Sequence, residues 1–94
     1  MVTVFVRHRI KDYTVWKQVF DGFVAKRRAG GERTYKVARL VGDPDNLCLF
    51  FEWDSVANAE RFIASPELAT AMQQAGVAEK PEIYIAEEVV SGKT

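Results

Sequence analysis

The chain has 94 residues, of which 48% are apolar, 12% aromatic and 28% charged. A chain of this length forms one compact domain, because two domains would each have too small a core. Thirteen Lys and Arg residues balance thirteen Asp and Glu residues. A net charge of zero provides no field to hold a phosphate backbone or an anionic membrane surface, so we expect neither nucleic acid nor a membrane as a partner.

The longest apolar stretches reach only about five residues, far fewer than the roughly 20 needed to span a bilayer. No charged and then apolar leader is recognisable, so we expect a cytoplasmic protein. A lone Cys48 cannot form an internal disulfide. No Cys or His cluster indicates zinc or an iron-sulfur centre, so we expect no metal and no cofactor.

In the first third of the chain, the pattern predicts a strand followed by a helix. Apolar and polar residues alternate over residues 2–9, which is typical of a β-strand. Asp12 can cap an amphipathic helix of about 17 residues. Gly30 and Gly31 end this helix.

Two further alternating segments, residues 34–41 and 47–53, predict a hairpin. The segment between them, residues 42–46, contains Pro44 and reads as a proline-initiated turn. The third strand is apolar on both faces, as the first one is. Both patterns are typical of strands in the middle of a sheet.

The second half predicts a broken helical region and a fourth strand. Ser55 caps its first helix, and Ser65 followed by Pro66 reads as a new cap with a first-turn proline. The region is therefore expected to break there. A last strand runs from Ile83 to Val90.

The order β-α-β-β-α-β predicts an α+β, ferredoxin-like fold with a four-stranded antiparallel sheet and both helical regions on one face. Residues 1–90 are expected to form this single domain, and residues 91–94 a disordered tail. The middle strands are also apolar on the face that the helices leave open. A second copy of the sheet is the simplest cover, which predicts a homodimer.

A series of short motifs along the chain carries a family resemblance. They are Val6-Arg7-His8, Asp12-Tyr13, Trp16-Lys17, Asp43-Pro44-Asp45-Asn46, Glu52-Trp53-Asp54-Ser55, Ala59, Phe62, Ser65-Pro66-Glu67-Leu68, Ala71-Met72 and Ala75-Gly76-Val77. Over about residues 4 to 88 they resemble the antibiotic-biosynthesis-monooxygenase-like group of dimeric α+β barrel proteins. The resemblance implies this fold and a barrel formed by two chains.

Members of that group include cofactor-free oxygenases of phenolic or quinone-like substrates and haem-degrading enzymes. The resemblance implies that Trp53 lines the barrel cavity, with Phe51 and Leu49 on the same face of the strand. The asparagine that quinone-forming members use near the substrate falls at Leu49. Haem-degrading members need a histidine in the broken helical region, whereas the only histidine here is His8 in the first strand, so we expect no haem.

His8 and Arg7 are the candidate catalytic residues. His8 is the only side chain whose ordinary pKa lies near neutrality, so it is the natural general base for a phenolic proton. The alternative is a strand-end histidine bonded to a neighbour. Arg7 points to the opposite face and could bind a phenolate if that face lines the cavity, or form an ion pair with Glu52.

Three other side chains are candidates for contact with the ligand. Arg39 could place a cation at the barrel mouth, or it is solvated. Tyr13 and Trp16 begin the first helix on its apolar side, where they cover the end of the barrel or simply pack in the core. Glu52 alternates with Trp53, so if Trp53 lines the cavity, Glu52 is expected to face the helices and to be structural.

For two further features, we expect no contact with a ligand. The basic residues 26–28 lie in the last turn of the predicted helix, where cations interact favourably with the helix dipole. Cys48 is expected to be an inert core thiol.

Three hypotheses of function follow. The first is a cofactor-independent monooxygenase or related cyclase-like protein that binds a small aromatic molecule in an apolar cavity. The second keeps the cavity but has no catalytic activity. The third is a structural or stress-related dimer whose sheet faces pack solidly together, and the volume of the pocket is the first observation that separates it from the other two.

Overall fold

The computed structural model describes all 94 residues. Its elements are β1 (Val2–Arg9), α1 (Tyr13–Gly22), α2 (Val24–Gly30), β2 (Glu32–Leu40), β3 (Asp43–Trp53), α3 (Val56–Ile63), α4 (Pro66–Gln74) and β4 (Glu82–Glu87). The strands form one antiparallel sheet in the order β2-β3-β1-β4. The predicted α+β, ferredoxin-like arrangement with β1 and β3 in the middle is therefore confirmed. The sheet of one chain is open and does not close into a barrel.

The register of β1 against β3 separates two faces. Val4 lies opposite Phe51, and Val6 lies opposite Leu49. All four of these side chains are buried in the core between the sheet and the helices. On the other face, which no helix covers, Phe50 is 41% exposed. The sheet thus has one filled face and one open face.

The hairpin turn is shorter than predicted. β3 begins at Asp43, which lies opposite Leu40, so the connection consists of Val41 and Gly42 alone. The expectation of a turn over residues 42–46 is wrong. The guanidinium of Arg9 donates two hydrogen bonds to the Asp43 carboxylate, at 3.1 and 2.9 Å. This long-range contact holds the start of β3 against β1, which overrides the local turn preference of the proline.

The first helical region is interrupted, whereas the sequence predicts one continuous helix. Asp12 caps α1 as expected, accepting a hydrogen bond from the Val15 N–H at 3.1 Å. The helix then ends at Gly22, a residue that weakens helices. Phe23 has φ of −95° and ψ of 1°, and α2 begins after it.

The break in the second helical region is confirmed. The hydroxyl of Ser55 accepts a hydrogen bond from the Asn58 N–H at 3.1 Å, and that of Ser65 accepts one from the Leu68 N–H at 3.3 Å. Each serine therefore starts its own helix. None of the four helices is long and apolar enough to cross a bilayer.

The last strand is shorter than the alternation predicts. β4 ends at Glu87, which lies opposite Val2, the first residue of β1. The Glu88 N–H donates to the Met1 carbonyl at 3.0 Å, and no strand lies beside the residues that follow. The expectation that the strand continues to Val90 is therefore wrong. Residues 88–94 form neither helix nor strand.

Candidate functional site

A cavity of about 90 Å³ lies between the sheet and the four helices. It is lined by 20 residues, and only three of them are polar: His8, Arg27 and Glu32. An apolar enclosure with a few polar groups is the usual form of a small-molecule site.

The predicted wall residues of β3 share one face and all line this cavity. The cavity lies on the helix side of the sheet, however, and not inside a barrel as the resemblance implies. Leu49 and Trp53 are each 2% exposed, and Phe51 is 8% exposed. The ring of Trp53 packs against Phe62 of α3 with centroids 5.1 Å apart. From the opposite side, Trp16 of α1 also lines the cavity. The structure thus brings four of the predicted contact residues to one enclosure.

His8 lies on the cavity wall and is 6% exposed. The indole Nε1–H of Trp16 donates a hydrogen bond to its Nε2 at 3.1 Å. Because an indole N–H can only donate, Nε2 must be the accepting nitrogen, and the neutral ring carries its hydrogen on Nδ1. Nδ1 is buried and has no hydrogen-bond partner. His8 therefore offers an N–H donor and has no free lone pair.

Burial also sets the charge of this histidine. It lowers the pKa of His8 to about 4, because the surrounding side chains cannot solvate an imidazolium. At neutral pH the ring is therefore uncharged. A neutral donor suits the oxygen of a carbonyl group or a phenolate.

Arg7 lies on the open face, away from the cavity. Its Nη1 donates to the Asn46 side-chain oxygen at 2.8 Å, and its Nη2 pairs with Glu82 at 2.7 Å. This guanidinium lowers the pKa of the Glu82 carboxyl. Both expectations for Arg7, a place in the cavity and a pair with Glu52, are wrong, since the strand alternation that brings His8 inward turns Arg7 outward.

Glu52 and Cys48 also lie on the open face. The Glu52 carboxylate accepts a hydrogen bond from the Thr34 hydroxyl at 2.7 Å. The expectation that it faces the helices is therefore wrong, because Trp53 and the helices share the other side of the strand. Cys48 is half-buried opposite Arg7. It is not part of the buried core.

Tyr13 and Arg39 lie outside the cavity. The guanidinium carbon of Arg39 lies 4.4 Å from the Tyr13 ring centroid, and Tyr13 stacks on Trp16 with centroids 5.9 Å apart. Neither residue lines the enclosure. In place of the predicted contact with a ligand, Tyr13 packs on Trp16, and Arg39 packs on Tyr13.

Arg27 is a site residue that the sequence analysis missed. It is 4% exposed, and its Nε donates to both Glu32 carboxylate oxygens at 3.0 and 3.1 Å. Burial raises the pKa of the Glu32 carboxyl, while the charge and hydrogen bonds of Arg27 act against this rise. Nη1 donates to the Phe20 carbonyl, but the buried Nη2 has no partner. The interpretation of residues 26–28 through the helix dipole alone leaves out the buried pair that Arg27 forms with Glu32.

A pattern in the sequence could have revealed Arg27. Trp16, Phe20, Phe23 and Arg27 recur at spacings of four, three and four residues, so Arg27 continues the apolar stripe of the helical region. An acidic residue, Glu32, follows five positions later. A cation on an apolar stripe with a carboxylate close by predicts a buried pair.

Comparison with known proteins identifies the fold. No protein-family model matches the chain, and no curated protein sequence is significantly similar to it. A structure from Bordetella bronchiseptica named as an antibiotic biosynthesis monooxygenase matches with a TM-score of 0.77 and 16% identity, covering 95% of this chain and 97% of that one. SnoaB, a cofactor-independent oxygenase from Streptomyces nogalater solved as a point mutant, matches with a TM-score of 0.76 and 15% identity. The match covers 96% of this chain and 94% of that one.

A third structure, from Caulobacter crescentus, has the same name as the first. It matches with a TM-score of 0.75 and 16% identity, covering 95% of this chain and 90% of that one. This chain shares their fold. The resemblance found in the sequence motifs is thus confirmed in three dimensions. At such identities the likeness concerns the fold alone, so the site itself must carry the argument on function.

Proposed function

We propose that the chain is a cofactor-independent monooxygenase that takes a small phenol or quinone-like molecule into the cavity between sheet and helices. The observation that carries the proposal is the unpartnered Nδ1–H of His8 in an otherwise apolar enclosure. A buried donor without a partner is costly, and a ligand oxygen would satisfy it. The fold shared with SnoaB, a cofactor-independent oxygenase, supports the same activity.

In this reaction the substrate supplies the electrons. A phenolate with a free para position passes an electron to O2, and the two radicals combine at the para carbon. One oxygen atom stays on the ring as a carbonyl, the other leaves as water with the para and hydroxyl hydrogens, and a quinone results. His8 would hold the phenolate oxygen through Nδ1–H, which favours the ionised substrate, and the apolar wall would keep water away. Its role is that of a donor, not of the general base first expected.

The size of the cavity limits the substrate. An enclosure of about 90 Å³ is smaller than the engineered cavity of about 150 Å³ that takes up benzene. A molecule with one ring therefore needs some outward movement of the helices, and one with three fused rings needs far more. We therefore propose substrates with a single ring.

We also propose that two chains pair through the open sheet face to complete a barrel. Phe5 of β1 packs there against Phe50 in a tilted arrangement at 5.2 Å and stacks with Tyr84 at 6.2 Å between ring centroids. Phe50 and Tyr84 are 41% and 57% exposed in the single chain. An exposed aromatic cluster in the middle of a sheet is typical of an interface. The cytoplasmic location and the disordered tail stay predictions.

The test is oxygen uptake with phenol, and 4-methylphenol is the matched control because its blocked para position cannot become a quinone carbonyl. Uptake with phenol should rise with pH as the phenol ionises. His8→Asn keeps an N–H near the position of Nδ1, whereas His8→Gln keeps an acceptor near that of Nε2. We expect His8→Gln to lower the rate about tenfold or more relative to His8→Asn. Equal rates in both variants would show that the donor has no part in the reaction.

A second candidate is a non-catalytic, small-ligand-binding or stress-related dimeric barrel protein. Leu49 has no hydrogen-bonding side chain where the resemblance implies an asparagine, and the lone pair of His8 is taken by Trp16. Neither position therefore supplies a free base. Saturable binding of phenol without oxygen uptake would favour this function.

A further inference from the structure

The cavity has a second unpartnered donor besides His8. The Nη2 atom of Arg27 is buried and lacks a hydrogen-bond partner, although Nε and Nη1 of the same guanidinium are satisfied by Glu32 and by the Phe20 carbonyl. Arg27 lines the cavity, and its whole side chain is 4% exposed. An unmet donor on a buried cation is more costly than one on a neutral group. The hydrogen bonds of Nε and Nη1 fix the position of Nη2, but no group of the chain accepts a hydrogen bond from it.

The Arg27 guanidinium is held in place from several sides. Glu32 accepts two hydrogen bonds from Nε, which fixes the plane of the group. Its central carbon lies 3.9 Å from the Phe20 ring centroid and 5.5 Å from that of Tyr35. Phe20 in turn stacks on Trp16 at 4.7 Å, and Trp16 holds His8. The two free donors are thus linked by one column of aromatic rings along the cavity.

The charges around the cavity cancel. Glu32 compensates the charge of Arg27 at 3.0 Å, and the His8 ring is uncharged, because its Nε2 accepts from an indole and its surroundings are apolar. A carboxylate brought into this enclosure would have no uncompensated cation to meet. Burying a carboxylate without a cation is strongly unfavourable, whereas a carbonyl oxygen accepts a hydrogen bond without adding charge. A phenolate spreads its charge over the ring and is formed from a phenol that enters uncharged, so this penalty applies to aromatic acids.

We propose that Arg27 is a binding residue that donates from Nη2 to an acceptor oxygen of the ligand, and that the Arg27–Glu32 pair selects neutral aromatic carbonyl compounds over aromatic acids. This inference rests on the ligand-binding part of the proposed function and is independent of oxygenation. It gives the cavity two donors, Nδ1 of His8 and Nη2 of Arg27, beside the Glu32 carboxylate that already accepts from Arg27. The expected ligand is therefore recognised through its oxygen atoms.

Three one-ring compounds of nearly equal size test the proposal: benzaldehyde, toluene and benzoate. Binding to the full chain is measured at neutral pH by isothermal titration calorimetry. Benzaldehyde offers a neutral carbonyl oxygen, toluene offers none, and benzoate carries a charge. We expect benzaldehyde to bind about tenfold or more tightly than either of the others.

Two variants assign this preference to Arg27. Arg27→Lys keeps a cation beside Glu32 but lacks the second nitrogen, and Arg27→Leu combined with Glu32→Leu replaces the whole pair by apolar side chains. Both should reduce the ratio of benzaldehyde to toluene affinity about tenfold, and the double variant should bind toluene at least as well as the unaltered chain. Arg28→Leu, an exposed neighbour in the same helical turn, is the control and should leave the ratio unchanged.

The outcomes separate the two proposals. An unchanged ratio in the double variant overturns the role of Arg27 but leaves the cavity as a binding site. Tighter binding of benzoate than of benzaldehyde overturns the selection for neutral ligands. If none of the three compounds binds, the ligand-binding function and the role of Arg27 are both overturned. If benzaldehyde is preferred but phenol causes no oxygen uptake, only the catalytic proposal is lost.

Discussion

The indole N–H of Trp16 donates to Nε2 of His8 over 3.1 Å, and this hydrogen bond decides what His8 presents to the cavity. A histidine can act as a general base only through an unoccupied lone pair. Here the lone pair of the neutral ring already accepts from Trp16, and the opposite nitrogen carries the hydrogen. His8 is thus arranged to hold an oxygen atom rather than to remove a proton.

The buried His8 should make stability depend on pH. Its pKa is about 4 in the folded chain and about 6.5 when unfolded, so the unfolded chain binds the extra proton first as the pH falls. The stabilisation is therefore complete above pH 6.5 and is lost between pH 6.5 and about 4. The loss should reach about 3 kcal/mol in the free energy of unfolding, measured by urea denaturation across this range.

His8→Gln is the control for this pH dependence, since it removes the titrating group and keeps an acceptor for Trp16. Asp43 and Glu82, whose pKa values are lowered by their arginine partners, remain in both proteins. The difference between the two pH curves therefore reports His8 alone. Parallel curves would contradict the lowered pKa.

Removing Arg27 alone should destabilise the fold more than removing the whole pair. Arg27→Leu leaves the Glu32 carboxylate buried, with a side chain 5% exposed and no cation. We expect a loss of about 3–5 kcal/mol, and recovery of most of it when Glu32→Leu is added. Chemical denaturation of the single and double variants measures both values. Arg33→Leu is the control, because Arg33 pairs with Asp54 at 3.8 Å in a largely exposed position. It should change the free energy of unfolding little. A loss as large as that of Arg27→Leu would show that burial does not cause the destabilisation.

Gly31, at the end of α2, should not tolerate a side chain. Its φ is +127°, and an added Cβ would collide with the Asp54 carboxylate. Gly42 in the hairpin turn also has a positive φ, +83°, but nothing lies within 4 Å of an added Cβ. We expect Gly42→Ala to cost about 1–2 kcal/mol from backbone strain and Gly31→Ala roughly twice as much. Thermal unfolding measures the loss of stability in both variants. Equal losses would exclude a contribution from the collision with Asp54.

The open sheet face should hold two chains together. Phe50 is exposed near the middle of this face, so Phe50→Glu should place a charge in the proposed interface and favour single chains. Sedimentation should give twice the chain mass of 10.6 kDa for the unaltered protein and the single mass for the variant. Val41→Glu, in the fully exposed turn, should leave the dimer intact. A single chain at micromolar concentration before any substitution would contradict the interface.

The alternation of β1 and β3 was enough to predict their central place, because side chains in a strand point to opposite faces with a period of two. The caps at Ser55 and Ser65 could also be predicted from the sequence, since each accepts a hydrogen bond from an N–H group only three residues away. The start of β3 could not be predicted in this way, because it depends on Arg9, which lies far from Asp43 in the sequence.

The site was partly predictable for the same reason. The inward face of β3 follows from strand alternation once the sheet is known, which gives Leu49, Phe51 and Trp53. The spacing of four, three and four residues from Trp16 to Arg27 indicates which of the three consecutive basic residues points inward. The hydrogen bond from its Nη1 to the Phe20 carbonyl depends on the folded geometry, and the spacing does not encode it.

The four helices over the cavity are only seven to ten residues long. Helices of this length are not stable alone in water, so each depends on its contacts with the layer beneath. The sheet, by contrast, is tied together by continuous ladders between its strands. Local opening therefore costs less free energy in the helices than in the sheet. Small molecules would exchange with solvent through transient lifting of single helices, while the strands that carry His8 and Trp53 stay in register.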